Sequence, residues 1–233
     1  MYSLLALLMF VIFIACVGFL LTEGMWSNAV RLVNVVTAAL LATNFWEPLA
    51  DWLEGYLPSF TYLWDFLSLW ILFVIFMVIF RTATDYLSRV KVRFLKIADR
   101  IGSVFFAAWI GLVMVCFTTF SLHTAPLARN FLRGSFVPET RQHATLAPDL
   151  LWMGFAQKVS RGQFCRALTK QDLRDFSKPE RAALKKDLTR TFDPCGQFMV
   201  KYATRRARLE KHFAATSSLR VRQEHFDEHA VKE

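Results

Sequence analysis

The chain has 233 residues, 55% of them hydrophobic, with 23 Phe and 7 Trp. That composition is too apolar for an ordinary water-soluble domain of this length. The charge is unevenly divided: residues 1–128 carry seven Lys/Arg and seven Asp/Glu, so residues 129–233 hold the whole net charge of +9. An apolar front half and a basic tail follow.

The first uncharged run is Met1 to Thr22. A helix that crosses the hydrocarbon core needs about 20 apolar residues, and this run predicts a span over about 2–22. Its start, "MYSLL", has no Lys or Arg, and its end, "LLTEGMW", has no small-x-small cleavage site. It is therefore expected to be a retained helix, not a cleaved leader.

The second run, Leu32 to Trp46, is shorter and lengthens past Arg31, whose long side chain can snorkel. It predicts a span over about 30–46. An acidic stretch follows, with Glu47, Asp51, Glu54 and Asp65 and no Lys or Arg. Trp46, Trp52, Tyr56, Phe60, Tyr62 and Trp64 cluster around it, as in an aromatic belt at headgroup level. A ligand platform is the functional alternative. The third run, Phe66 to Phe80, contains "LWILFVIFMVIF", apolar all round as a lipid-embedded helix is, and predicts a span over about 64–81.

Six basic residues, Arg81, Arg89, Lys91, Arg93, Lys96 and Arg100, stand against Asp85 and Asp99 before the fourth run. Short basic loops stay in the cytoplasm. Loop 81–100 is thus expected inside and 47–65 outside, which by parity places the N-terminus and the tail outside. The tail is the more basic segment, but the rule counts short loops and the roughly 15–20 residues beside a span. The rival topology makes the fourth run a re-entrant hairpin, with the tail inside.

The fourth run, Ile101 to Ala128, predicts a span over about 101–122. Ser103, Ala107 and Gly111 recur four apart on one helical face, with Gly102 beside the first. In lipid, helices associate where small residues let backbones approach. Gly102, Ser103, Ala107 and Gly111 are therefore expected to form a packing face for another helix, from this chain or a neighbour. Asp99 lies where the helix begins and suits the positive end of its dipole, so it reads as a helix cap. Arg100 reads as the interface anchor.

"DRIGSVFFAAWIG" resembles the motif D-R-x-x-G-x-x-x-G-x-x-x-[GR]-G that opens the last helix of the colicin V production (CvpA-like) membrane proteins. Asp99 and Arg100 match the Asp-Arg pair. Ser103, Ala107 and Gly111 fall on the glycine positions. "GFLLTEGMWSNAVRLVNVV" resembles the family's first loop and second helix, with Gly18, Phe19, Gly24 and Arg31 in place. The resemblance covers about residues 3–125. It implies a four-helix bacterial inner-membrane protein linked to colicin V export and envelope maintenance, with no established catalytic activity.

In the tail, Arg129 to Pro148 is polar and turn-rich. "APDLLWMGFAQKVS" predicts an amphipathic helix from about Asp149, with Leu151, Trp152, Phe155, Ala156 and Val159 apolar. "SKPERAALKKDL" carries a capping box from Ser177 to Glu180, and "GQFMVKYATRRARLEKHF" predicts a basic helix. A helical tail over 129–214 and disorder over 215–233 are expected. Cys165 and Cys195, the two cysteines outside the apolar runs, are expected to form a disulfide if the tail lies in an oxidising compartment.

The five His show no ligand spacing, apart from His225 and His229 four apart near the end, and neither CxxC nor a glycine-rich phosphate loop occurs. No catalytic, metal or cofactor site is expected. The reading is an all-α, polytopic membrane protein with four transmembrane helices over 1–128 and a small, mostly helical, basic C-terminal tail. It is not an enzyme, and it assembles through helix four to support export or envelope integrity. Its partners are membrane lipids and other membrane proteins or itself, not nucleic acid. A channel or transporter subunit is the alternative, although intramembrane charge, which marks transport paths, is nearly absent.

Overall fold

In hydrocarbon every backbone N–H and C=O must be satisfied within the protein, so long apolar runs are driven into helix. A computed structural model of the chain describes residues 3–56, 61–87, 96–127, 147–161, 191–193 and 196–216. Six helices lie in it: α1 Ser3–Leu20, α2 Met25–Tyr56, α3 Thr61–Leu87, α4 Lys96–Thr124, α5 Pro148–Ser160 and α6 Phe198–Thr216. No strand occurs among the described residues.

Helices α2, α3 and α4 are long and apolar enough to cross a membrane; α1 is a shorter apolar helix. At 18 residues, α1 spans about 27 Å, slightly under the ~30 Å of a typical hydrocarbon core. Helices α2 and α3 run past their uncharged stretches on both sides, and α4 on its N-terminal side. At its C-terminal end α2 continues from Trp46 through Glu47, Pro48 and Asp51 to Tyr56. An uncharged run bounds the segment that hydrocarbon tolerates, whereas the helix itself stops where its backbone bonding stops. The extra turns carry charge beyond the apolar run, and Glu47 faces Lys201 of α6 at 3.8 Å.

The contacts make α4 the hub, since it packs against α1, α2, α3, α5 and α6, and α2 pairs extensively with α3. Two apolar clusters result. The smaller joins Leu20, Val35, Ala107 and Ile110. The larger joins Ala38, Leu40, Ala42 and Trp46 of α2, Leu69 and Phe73 of α3, and Cys116, Phe117 and Phe120 of α4 to Trp152, Met153, Phe192, Phe198 and Tyr202. The described tail helices thus share one core with the bundle. Phe117 is its centre, with ring centroids 4.8 Å from Phe73, 5.5 Å from Trp70 and 5.7 Å from Trp152.

The face of α5 that is buried is rotated from the one its sequence suggests. Trp152, Met153 and Ala156 point inward, while Leu151 and Phe155 are exposed. In α6, Phe198, Tyr202, Arg206 and Leu209 are buried. Asp193 begins that helix by accepting hydrogen bonds from Gln197 N at 2.7 Å and Phe198 N at 3.2 Å. It does so at a left-handed φ of 41°, a conformation that Asp tolerates better than most residues. The capping box at Ser177, and Cys165 and Cys195, lie outside the described residues.

Candidate functional site

Polar side chains gather at the two ends of the bundle. At the first, the first turn of α4 meets the turn that joins α1 to α2. Asp99 lies in the first turn of α4, which begins at Lys96, and its Oδ1 accepts the backbone N–H of Met25 at 2.9 Å, at the first residue of α2. The carboxylate of one helix start therefore satisfies a donor that the start of another leaves open. Arg100 beside it is exposed.

Ser103 donates its hydroxyl to the carbonyl of Glu23 at 2.6 Å. Asn28, fully buried, donates through Nδ2 to the Leu20 carbonyl at 3.0 Å and to Ser103 Oγ at 3.0 Å. Side chains from α2 and α4 thereby bond carbonyls at the end of α1 and in the turn that follows it. Arg31 closes the same turn with a 2.7 Å bond to Glu23. That guanidinium holds the Glu23 carboxyl below the usual carboxylate range.

The strip of small residues lies directly above. Ser103, Ala107 and Gly111 are buried. A Cβ on Gly111 would meet the Phe13 ring at 3.0 Å and a Val17 methyl at 3.2 Å. A Cβ on Gly102 would fall 2.1 Å from the Met25 sulfur. The face that sequence assigns to helix packing is thus occupied by the chain's own α1 and the start of α2. Ile110, a bulky residue beside the strip, is buried with it.

The second end was not legible from local sequence. His123, in the last turn of α4, is fully buried and lies 2.8 Å from the fully buried Asp149 of α5. Arg206 of α6 donates to the His123 carbonyl at 2.8 Å. Beside them, Asp65 at the start of α3 accepts from Tyr202 at 3.1 Å and pairs with Arg205, whose guanidinium lies 5.0 Å above the Tyr62 ring. Burial lowers the pKa of both arginines from the ordinary guanidinium value. Trp152 reaches in from α5 to donate to Thr43 Oγ1 of α2 at 3.1 Å. Of the aromatic residues around the acidic stretch, Trp46 is buried, 6.2 Å from Tyr202, whereas Trp52 and Tyr56 stay exposed and stack edge to face at 4.8 Å.

These groups hold helices together through charge and backbone bonding. No group of three His, Cys, Asp or Glu able to hold a metal occurs among the described residues. The spacing of the small residues and the carboxylate of Asp99 announced the first end. The second joins residues 26 to 140 positions apart.

The family profile described as "Colicin V production protein" matches residues 5–148. No curated protein and no solved structure matches the chain. The matched stretch holds α2 to α4, nearly all of α1, and the His123 side of the second end; it closes where α5 begins.

Proposed function

Because the chain belongs to the colicin V production family, we propose that it acts in the bacterial inner membrane to support export of colicin V-type peptides or upkeep of the envelope, without catalysing a reaction. The observation that carries this reading is the family match over the whole membrane-spanning part. In this arrangement α1 is the fourth crossing, seated on α4 through the small-residue face. The six basic residues from Arg81 to Arg100 stay in the cytoplasm. The N-terminus, α5 and α6 then lie on the periplasmic side. Membrane lipids, and other membrane proteins or a second copy, are the partners. Since α1 and the start of α2 fill the small-residue face, assembly with a partner uses other faces of the helices.

Disrupting the gene in a producing strain tests the activity. Secreted peptide and detergent sensitivity are compared with and without the chain restored. A fall in secretion or a rise in sensitivity, reversed by restoration, is the expected result; no change in either sinks the reading. Topology is checked separately. A periplasmic tail gives a Cys165–Cys195 disulfide, so a membrane-impermeant maleimide labels neither residue until a reductant is added. Free thiols labelled only after lysis would reverse the orientation.

A further inference from the structure

The solvent-side face of α5 is the wrong chemistry for water. Leu150, Leu151 and Phe155 are exposed by 41%, 62% and 41%, and they form a stripe with Gly154 between them. The stripe ends in exposed Lys158 and Arg161. The opposite face of the same 13-residue helix buries Trp152, Met153 and Ala156.

What covers the stripe follows from depth. Trp152 touches Phe117 of α4 and bonds Thr43 of α2, and Phe117 sits against Phe73 of α3. Phe117 is six residues before His123, about 9 Å along the helix, and Phe73 is eight residues after Asp65, about 12 Å. Both Asp65 and His123 belong to the polar end of the bundle, so Trp152 enters the core well inside that end. At the same level the outward faces of α2 and α3 are apolar: Phe45 on α2 and Ile71 and Val74 on α3 are all exposed. The stripe on α5 continues that lipid-facing surface.

We infer that α5 is not a solvated tail helix but a half-span helix embedded in the leaflet on the tail's side, where acyl chains cover Leu150, Leu151 and Phe155. Lys158 and Arg161 reach back from its C-terminal turn to anionic headgroups, their stems along apolar surface and their charges in water. Its single carboxylate, Asp149, is removed from lipid by pairing with His123. The backbone of a short helix at that depth is tolerated because its own ladder satisfies it, and Pro148 at its start brings no N–H. The inference rests on the membrane-spanning character of α2 to α4 and not on any role in export.

Replacing Leu151 by the photo-crosslinking residue p-benzoylphenylalanine in the otherwise unaltered full chain tests it, because an exposed position accommodates the probe. The protein is reconstituted in vesicles of phosphatidylethanolamine and phosphatidylglycerol and irradiated, and the products are read by mass. Val74 carries the same probe as the lipid-facing reference and Lys211 as the aqueous one. The expected result is a phospholipid adduct at Leu151 with a yield within about twofold of that at Val74. A yield as low as at Lys211, while Val74 reacts, overturns the inference. So does a crosslinked pair of chains, which would mean that a second copy covers the stripe.

Discussion

The two ends of the bundle lean on different kinds of contact. At the Asp99 end, neutral or singly charged side chains bond backbone groups at helix termini: Asp99 to the Met25 amide, Ser103 to the Glu23 carbonyl, Asn28 to the Leu20 carbonyl. At the His123 end, side chains bond one another across α3, α4, α5 and α6: His123 to Asp149, and Arg205 to Asp65. Capping by a partly exposed group such as Asp99 is tolerant, because water can replace the lost bond. A buried pair is less so, because losing one partner leaves the other buried with less compensation. Polar contacts of these two kinds therefore give two ends of very different fragility.

The comparison breaks most sharply at His123. His123→Leu removes the 2.8 Å partner of the fully buried Asp149, and loss of one member of a buried pair costs about 3–5 kcal/mol. Thermal unfolding and protease access to α5 and α6 should both register it. Replacing Asp149 by Leu as well should recover part of the loss, since an apolar pair leaves no stranded charge. If the single change leaves unfolding and access unaltered, the fragility assigned to this end is wrong.

Next comes the packing face. Gly111→Leu drives a side chain into Phe13 and Val17, and overpacking costs about 1–3 kcal/mol. Engineered disulfides between α1 and α4 should then form more slowly, while Leu112→Ala, at an exposed lipid-facing position, should leave them unchanged. Asp99→Ala is a smaller perturbation, about 0.5–2 kcal/mol for a lost cap. It should appear as faster hydrogen exchange at the Met25 amide, with α5 and α6 unaffected. Slower or unchanged exchange there would remove Asp99 from the cap.

The smallest effect is electrostatic. Arg31 depresses the Glu23 pKa, so the folded state favours the ionised carboxylate. The pair stabilises above the ordinary carboxylate range and ceases to do so as pH falls through the depressed value. Wild type and Glu23→Gln should differ in melting temperature near neutral pH and converge in acid. A difference that persists in acid would assign the effect to something other than this pair.

The strip Ser103, Ala107 and Gly111 was readable because a helical face repeats locally in sequence, and the uncharged runs located the apolar parts of α1 to α4 for the same reason. Which helix fills the strip was not readable, since Phe13 and Val17 look like any other apolar residues of α1. The His123 end was invisible because its partners share no period: Asp65 and Arg205 are 140 residues apart. In α5 the helix was legible but its buried face was not, since Trp152, Leu151 and Phe155 are equally apolar and only the neighbouring helices decide which of them turns inward.

The reach of these bonds also sets a timetable for biosynthesis. Asp65 leaves the ribosome 140 residues ahead of Arg205, an interval of roughly 7–28 s at translation rates of about 5–20 residues per second. The Met25 amide waits 74 residues for Asp99, roughly 4–15 s at the same rates. During the longer interval α3 is already made while its carboxylate lacks the guanidinium that will later hold it. Water at the membrane boundary must solvate that charge in the meantime, which keeps the start of α3 at the surface until the last helix arrives to seal it.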